Sequence, residues 1–416
     1  NPEIPPGKPL EKLAFHYYGG IYRDVRLHIM PYLYIPNPLE AKKPASGGVF
    51  ITYPLVSEMK AEIQIQTQIA NQFPFAVDTK VSHILYDGEE KRAFIESSPI
   101  HLTANSEQKT VVKLEISSPK LWSPDTPNLY KLETTLWQEE KAIFQRTDVI
   151  GIRYVEAKKD GIYLNGKKLY LWGANRHQCY PFVGDAAPAS MQYRDAILLK
   201  QNGFNAVRAA HYPQSPDFLD ACDQYGLLVI ECQPGWQNFT DSAEFYQHTI
   251  RDIREMIRRD RNHPCVFLWE TSLNETVCSR NWAEDAVCAA KEEMPGNQML
   301  TATDYQFHGD LYDVNYKVID KPGEEYIDQA PEKPVLTREW GDWSGLDQAF
   351  RGSGKKALTQ QVLTHQRFLN GDGYPDWGGL TLSKRLGGCF LWSWNDYSRG
   401  SENQPLYSGS VETERL

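Results

Sequence analysis

The chain has 416 residues, enough for two or three domains with sizeable cores. Its composition, 41% hydrophobic and 24% charged, is that of a globular protein, and a net charge of −10 leaves no surplus of Lys and Arg to neutralise phosphates. That argues against nucleic acid and anionic membranes as partners, and no stretch reaches the ~18 apolar residues of a membrane-spanning helix.

Residues 1–32 are rich in Pro and Gly and hold one strand-like piece, GGIYRDVRLHIM, too little for a domain. The opening NPEIPPGKPL is not a signal peptide. Residues 33–153 read as all-β. KAEIQIQTQIANQF places Ile63, Ile65 and Ile69 on one face and Gln64, Gln66 and Gln68 on the other. TKVSHILYDGEEKRAF carries the Asp-Gly of a tight hairpin, and KTVVKLEI and NLYKLETTLW follow as strands. Short strands separated by turn signals predict a β-sandwich.

From residue 154 the rhythm becomes strand, helix, strand. The predicted strands are LYLWGANRH, NAVRAAHY, LLVIECQ, CVFLWETS, MLTATD, DLYDVNY, PVLTREWG and GGCFLWSWND. Helices are predicted over MQYRDAILLKQNG, PDFLDACDQYG, EFYQHTIRDIREMIRRD, SRNWAEDAVCAAKEEM and KKALTQQVLTHQRFL. The link between MLTATD and DLYDVNY is too short for a full helix. Eight alternating strands predict a (β/α)8 barrel. The seven cysteines, several inside apolar runs, read as buried free thiols, and no Cys-x-x-Cys pair suggests a metal knuckle.

In such barrels chemistry sits at the C-terminal strand ends. Here those ends are NRH (175–177), RAAH (208–211), ETSLNE (270–275), NY (315–316), REWGD (338–342) and WSWND (392–396). Glu275 and Glu339 stand on separate strands. A solvated or salt-bridged carboxylate is the bland reading of either one alone. Two facing across a barrel mouth, with amides and Trp alongside, suit glycoside hydrolysis.

The motifs resemble those of glycoside hydrolase family 2, which holds β-galactosidases, β-glucuronidases and β-mannosidases. NAVRAAHYPQSPDFLDACDQYGLLVI (205–230) is similar to its first signature and RDRNHPCVFLWETSLNE (259–275) to its second. PVLTREWG resembles its nucleophile strand and GGCFLWSWND its last barrel strand. GGIYRDVRL resembles the final strand of its jelly-roll domain, and SPKLWSPDTPNLYKLETTLW its immunoglobulin-like domain. The resemblance implies three parts: a jelly-roll remnant (1–32), an immunoglobulin-like sandwich (33–153), and a catalytic barrel (154–416) lacking its last helix.

The resemblance also implies roles. Glu275 becomes the general acid/base, Glu339 the nucleophile, and Asn274 a ligand of the sugar 2-hydroxyl. Arg208 approaches the nucleophile, and Tyr316 bonds it. His177, His211 and Asn175 contact sugar, and Trp392 or Trp394 floors the subsite; both lie on one face of a strand. Trp269 is followed by four residues before Asn274 where the family has three, so either the strand bulges or Trp269 is displaced. Glu270, the departure, reads as a sugar ligand, a supporting carboxylate, or the partner of a buried Arg. Where metal-dependent relatives place magnesium ligands, this chain has Trp236 and Asn238, so no metal and no other cofactor is expected, and Trp236 walls a subsite.

The implied reaction is retaining exo-hydrolysis of terminal β-galactosides of oligosaccharides, with glucuronide or mannoside as alternatives. No Asn-x-Lys motif for a uronate appears near FLNGDGYPDWGG. A non-catalytic carbohydrate-binding protein and a truncated, inactive form also stay open. An exposed barrel flank would favour a homo-oligomer. A periplasmic or secreted location follows from the resemblance alone.

Overall fold

The computed structural model of the chain describes residues 20–180, 182–236, 239–296, 298–302, 307, 310–318, 333–340 and 386–394. The readings at residues 1–19, at Asn238, over KKALTQQVLTHQRFL, in the FLNGDGYPDWGG loop and beyond Trp394 lie outside these residues.

Residues 20–32 form no strand, which corrects the reading of GGIYRDVRLHIM. Ile21, Val25, Leu27 and Ile29 are 77–89% exposed. Among the described residues no strand pairs with this segment or covers its apolar side chains, so alternation alone does not make a strand.

Nine strands then build a sandwich. They are β1 (Leu33–Tyr34), β2 (Val49–Val56), β3 (Lys60–Asn71), β4 (Val77–Asp87), β5 (Glu90–Glu96), β6 (Ile100–Leu102), β7 (Ser106–Ser117), β8 (Tyr130–Gln138) and β9 (Lys141–Ile150). One sheet runs β1-β3-β2 with β7 on β3; the other runs β5-β4-β8-β9 with β6 on β4. Ile63, Ile65 and Ile69 of β3 are fully buried and pack in one cluster with Val81, Leu85 and Leu132. Each such side chain stabilises the sandwich by ~1.5–3 kcal/mol.

A three-stranded antiparallel sheet follows, which the sequence reading did not separate: β10 (Val155–Lys158), β11 (Gly161–Leu164) and β12 (Lys167–Leu169). Its Ile162 and Leu164 join the barrel's core.

The barrel strands are β13 (Leu171–Arg176), β14 (Ala206–Ala209), β15 (Leu228–Cys232), β16 (Val266–Glu270), β17 (Met299–Thr301), β18 (Asn315–Val318), β19 (Val335–Trp340) and β20 (Leu386–Leu391). They lie in one parallel sheet in chain order, with β20 against β13, so eight strands form a nearly closed barrel. Four helices are described: α1 (Ala189–Gln201), α2 (Pro216–Tyr225), α3 (Ala243–Asp260) and α4 (Arg280–Glu293). Ser242 and Ser279 cap α3 and α4 by accepting backbone N–H bonds, and α2 starts on Pro216 and stops at Gly226 in the left-handed conformation.

Three of the described barrel strands carry irregularities: β20, where Gly387 is extra against β19, and two nearer the site. In β16, Val266 and Leu268 pair with the consecutive residues Val229 and Ile230, so Phe267 is an extra residue. It lies ahead of Trp269, not at the strand end between Trp269 and Asn274 where the sequence reading offered a bulge. In β19, Thr337 and Glu339 face the consecutive residues Lys317 and Val318, so Arg338 is extra there. A bulge re-aims the side chains beyond it.

The sandwich is locked to the barrel's lower rim. Trp122 Nε1 donates to Asp223 O at 2.9 Å, Arg153 Nε to Pro264 O at 2.9 Å, and Arg261 Nη2 to Ser46 O at 2.7 Å. Among the described residues one cluster of metal-ligand type side chains occurs, Asp223, His263 and Cys265, at this seam. Its geometry is that of hydrogen bonding: His263 Nδ1 lies 2.6 Å from Asp223 Oδ2, and Asp223 Oδ1 accepts from Cys265 N at 2.8 Å. Six cysteines are buried free thiols; Cys288, on α4, is exposed, which corrects the reading of all seven as interior.

Candidate active site

The upper end of the barrel is organised around Arg208, the third residue of β14. Its side chain is fully buried. Nε and Nη2 donate to the two Glu270 oxygens, each at 2.8 Å. Nη1 donates to Glu339 Oε1 and to Asn175 Oδ1, each at 3.0 Å, and Nη2 also to Asn274 Oδ1 at 2.9 Å. Burial opposes the Arg208 charge, but Glu270 outweighs it and holds the guanidinium's pKa above the ordinary arginine range.

A second guanidinium enters from β19. Arg338 Nη1 donates to Glu339 Oε1 at 2.6 Å and to Asn274 Oδ1 at 2.5 Å; Nη2 donates to Glu275 Oε1 at 3.3 Å. Glu275 and Glu339 are thus brought together as the sequence placed them, at the ends of two different strands. Glu275 adopts a positive φ of 49° just beyond the Asn274 turn, and its side chain is 22% exposed. Asn274 Oδ1 accepts from both arginines, while its Nδ2 has no partner among the described residues and is able to donate to a ligand.

Asn274 is fixed by the loop after β15. Its backbone N donates to Gly235 O at 3.1 Å, beside a bridge to Trp236. Gly235 has φ +147°, and a Cβ there would fall 2.1 Å from Leu273 Cδ2, so only glycine permits this approach.

Rings wall the adjacent space. His211 and Trp392 stack with centroids 5.1 Å apart, and His177 stands edge-on to both at 5.4 and 5.5 Å. Tyr212, Trp236 and Trp392 pack against Cys179. His177 Nδ1 lies 3.2 Å from the Tyr212 hydroxyl. Burial, with Arg208 nearby, pushes His177 down to about 3 and His211 well below the usual histidine range, so both rings are neutral.

Three sequence expectations are corrected here, and for Glu270 the alternative observed is the partner of a buried arginine. Glu270 is 1% exposed, and its oxygens accept from Arg208 while the Cys232 thiol donates to it at 3.2 Å, so it is a structural counter-charge and not a sugar ligand. Asn175 is also engaged: Nδ2 donates to Arg338 O at 2.8 Å and Leu391 O at 3.2 Å, tying β13 to β19 and β20. Tyr316 makes no bond to Glu339; its ring sits under the Arg208 guanidinium at 5.6 Å, and its hydroxyl meets no partner among the described residues. Trp394 packs edge-to-face on Phe204 at 6.1 Å and joins the main core, away from the His177–His211 group. Its backbone N, not its ring, serves the site, donating to Asn175 O at 2.8 Å.

Arg338 was not among the predicted site residues. The signal was present as a cation directly before Glu339 in PVLTREWG, but strict strand alternation would send neighbours to opposite faces. The bulge in β19 brings both inward.

A parallel barrel whose rim gathers two glutamates, an asparagine and stacked rings is the architecture of the barrel glycoside hydrolases. The family profile described as "Glycosyl hydrolases family 2" matches residues 47–153, and that described as "Glycosyl hydrolases family 2, TIM barrel domain" matches residues 155–293. A β-galactosidase of Thermoanaerobacter pseudethanolicus is 37% identical over 278 residues, 66% of this chain and 35% of that protein. A β-galactosidase of Thermoanaerobacterium thermosulfurigenes is 31% identical over 426 aligned positions, 100% of this chain and 56% of that protein. The crystal structure of Bacteroides uniformis β-glucuronidase superposes with a TM-score of 0.81 at 25% identity, covering 96% of this chain and 51% of that one. The chain belongs to glycosyl hydrolase family 2. It spans 35–56% of the curated relatives named here.

Proposed function

We propose that the protein is a retaining, exo-acting β-glycosidase that removes terminal β-galactosyl units from oligosaccharides. One observation carries the reading: Glu275 and Glu339 meet on a shared guanidinium, with Asn274 between them and a wall of neutral rings beside them.

In this reading Glu339 attacks the anomeric carbon while Glu275 protonates the departing oxygen, and water then releases the sugar with Glu275 as base. Arg208 and Arg338 keep Glu339 ionised. Asn274 Nδ2 donates to a sugar hydroxyl. Trp392 offers an apolar face to the ring, and the neutral His177 and His211 meet hydroxyls as uncharged partners. One guanidinium reaches both carboxylates, so they share one side of the site.

Galactose is favoured over a uronic acid because Arg208 and Arg338 are already bonded to carboxylates. A uronate would need a further cation. The Bacteroides uniformis relative keeps the glucuronide as the second reading. Proton NMR of an aryl β-galactoside incubated with the protein tests both. β-Galactose appearing first, with the α-anomer growing in later, is the expected outcome. First release of α-galactose would refute retention, and turnover of the glucuronide alone would replace the sugar.

A further inference from the structure

We propose that Arg338 is a catalytic guanidinium that pairs with whichever of Glu339 and Glu275 carries the negative charge, so one cation serves both halves of the reaction. The inference rests on the double-displacement reading above and adds to it a residue and a role.

The placement comes first. Arg338 is the extra residue of β19, and its side chain is fully buried. It touches both reacting carboxylates, Glu339 through Nη1 at 2.6 Å and Glu275 through Nη2 at 3.3 Å. Its third bond, to Asn274 Oδ1, keeps the plane of the guanidinium fixed between them. A planar fork with two separate donor arms suits two acceptors in a way that a lysine's point charge does not.

The charges close around this placement. Arg208 gives two of its bonds to Glu270 and is neutralised by it. Among the other described groups here, burial raises the Cys232 thiol and the Tyr316 phenol and lowers His177 and His211, so all four are uncharged at neutral pH. Among the described residues the charged groups that remain here are Arg338, Glu339 and Glu275. Before the first step Glu339 is ionised and Glu275 holds the proton. A Glu339 oxygen then bonds the anomeric carbon, the bond to the aglycone oxygen breaks, and the Glu275 proton goes to that oxygen. The negative charge has left Glu339 and stands on Glu275. In the second step a water oxygen bonds the anomeric carbon, its proton passes to Glu275, and the ester's electron pair returns to Glu339. One negative charge is present at every stage, on alternate carboxylates, and Arg338 is bonded to both. In a buried site such preorganised donors stabilise charge without reorganising.

This also explains why Glu270 and Arg338 occur together. A second arginine beside the nucleophile would leave an excess positive charge in a buried site unless Arg208 were neutralised.

The test compares wild-type protein with Arg338→Gln and Arg338→Lys on two substrates. Release of methanol from methyl β-galactoside, which needs the Glu275 proton, reads the first step, and steady-state turnover of 2,4-dinitrophenyl β-galactoside, limited by attack of water, reads the second. In Arg338→Gln both rates should fall about 10²- to 10³-fold, the scale for deleting one preorganised donor. The Ki of an unreactive thiogalactoside should change less than about threefold, because binding is not what is lost. Arg338→Lys, whose ammonium reaches one carboxylate at a time, should slow one step and spare the other; it carries the comparison if the Gln variant does not fold. The proposal is overturned if Arg338→Gln keeps either rate within about threefold of wild type. It is also overturned if both rates and the Ki collapse together in both variants, which marks a purely structural clasp. If the wild-type protein releases no sugar from galactoside, glucuronide or mannoside, the reading of the reaction fails first, and the proposal with it.

Discussion

Replacing Glu270 by alanine removes both carboxylate oxygens that accept from Nε and Nη2 of Arg208, each at 2.8 Å. Both side chains are at most 1% exposed, so water does not take over. The guanidinium keeps Asn175, Asn274 and a single bond to Glu339, and the lost carboxylate leaves a void beside Cys232. Breaking a buried pair from one side costs ~3–5 kcal/mol, because the remaining charge stays buried. That is a large share of the ~5–15 kcal/mol that stabilises a typical protein. At ~2–4 °C per kcal/mol, the melting temperature should drop by about 10 °C. Glu270→Gln keeps the volume and one acceptor and should fall between the two. Circular dichroism melts of the three proteins read this directly. A Glu270→Ala protein melting within ~2 °C of wild type would show that the pair does not hold the site, and the electrostatic account of Arg208 would fail with it.

Glu339→Ala should abolish turnover, whereas Glu275→Ala should slow alkyl β-galactosides by ~10²-fold or more and spare first-step release from the dinitrophenyl glycoside; a uniform loss would remove Glu275 as the acid. His263 sits against Asp223 at the seam between sandwich and barrel, and although burial opposes it, Asp223 raises it to about 9. A raised folded-state pKa gives stability that is full below the ordinary ~6.5 and is lost as pH rises through about 9, so the wild-type melting temperature should fall over that window more steeply than that of His263→Gln. Parallel slopes would refute the pair's contribution. Gly235→Ala places a Cβ 2.1 Å from Leu273 Cδ2 at a φ of +147°, which should shift the turn that holds Asn274 and lower kcat/KM at least ~10-fold; wild-type activity would show that the turn tolerates the side chain.

Much of the scaffold was legible in the chain because it depends on local pattern. The isoleucines of β3 repeat every second residue, and that period alone assigns them to a buried face. Each barrel strand was an apolar run ending abruptly in polar residues, so all eight, and the positions of Glu275 and Glu339 at two of their ends, could be read before any contact was known. The three-stranded sheet of β10–β12 was missed because its short strands carry no period long enough to register.

What tertiary structure alone decided is where the polar side chains point and what they bond. Local sequence determines that a residue lies at a strand end; register against neighbouring strands determines which face it meets, and register is a property of pairs of strands. The extra residue in β19 turned Arg338 inward beside Glu339, against the alternation its neighbours predict. Asn175 looked like a ligand, and Glu270 could be read as a ligand or as an arginine's partner; only their distances to Arg208 and to the backbone of β19 and β20 decide between these. The two tryptophans of WSWND share a sequence period, yet Trp392 stacks on His211 and Trp394 on Phe204. For Glu270, Asn274 and Glu339 the physical reason is the same: a buried polar group must find a partner, and that partner, Arg208, lies 62, 66 and 131 positions away in the chain.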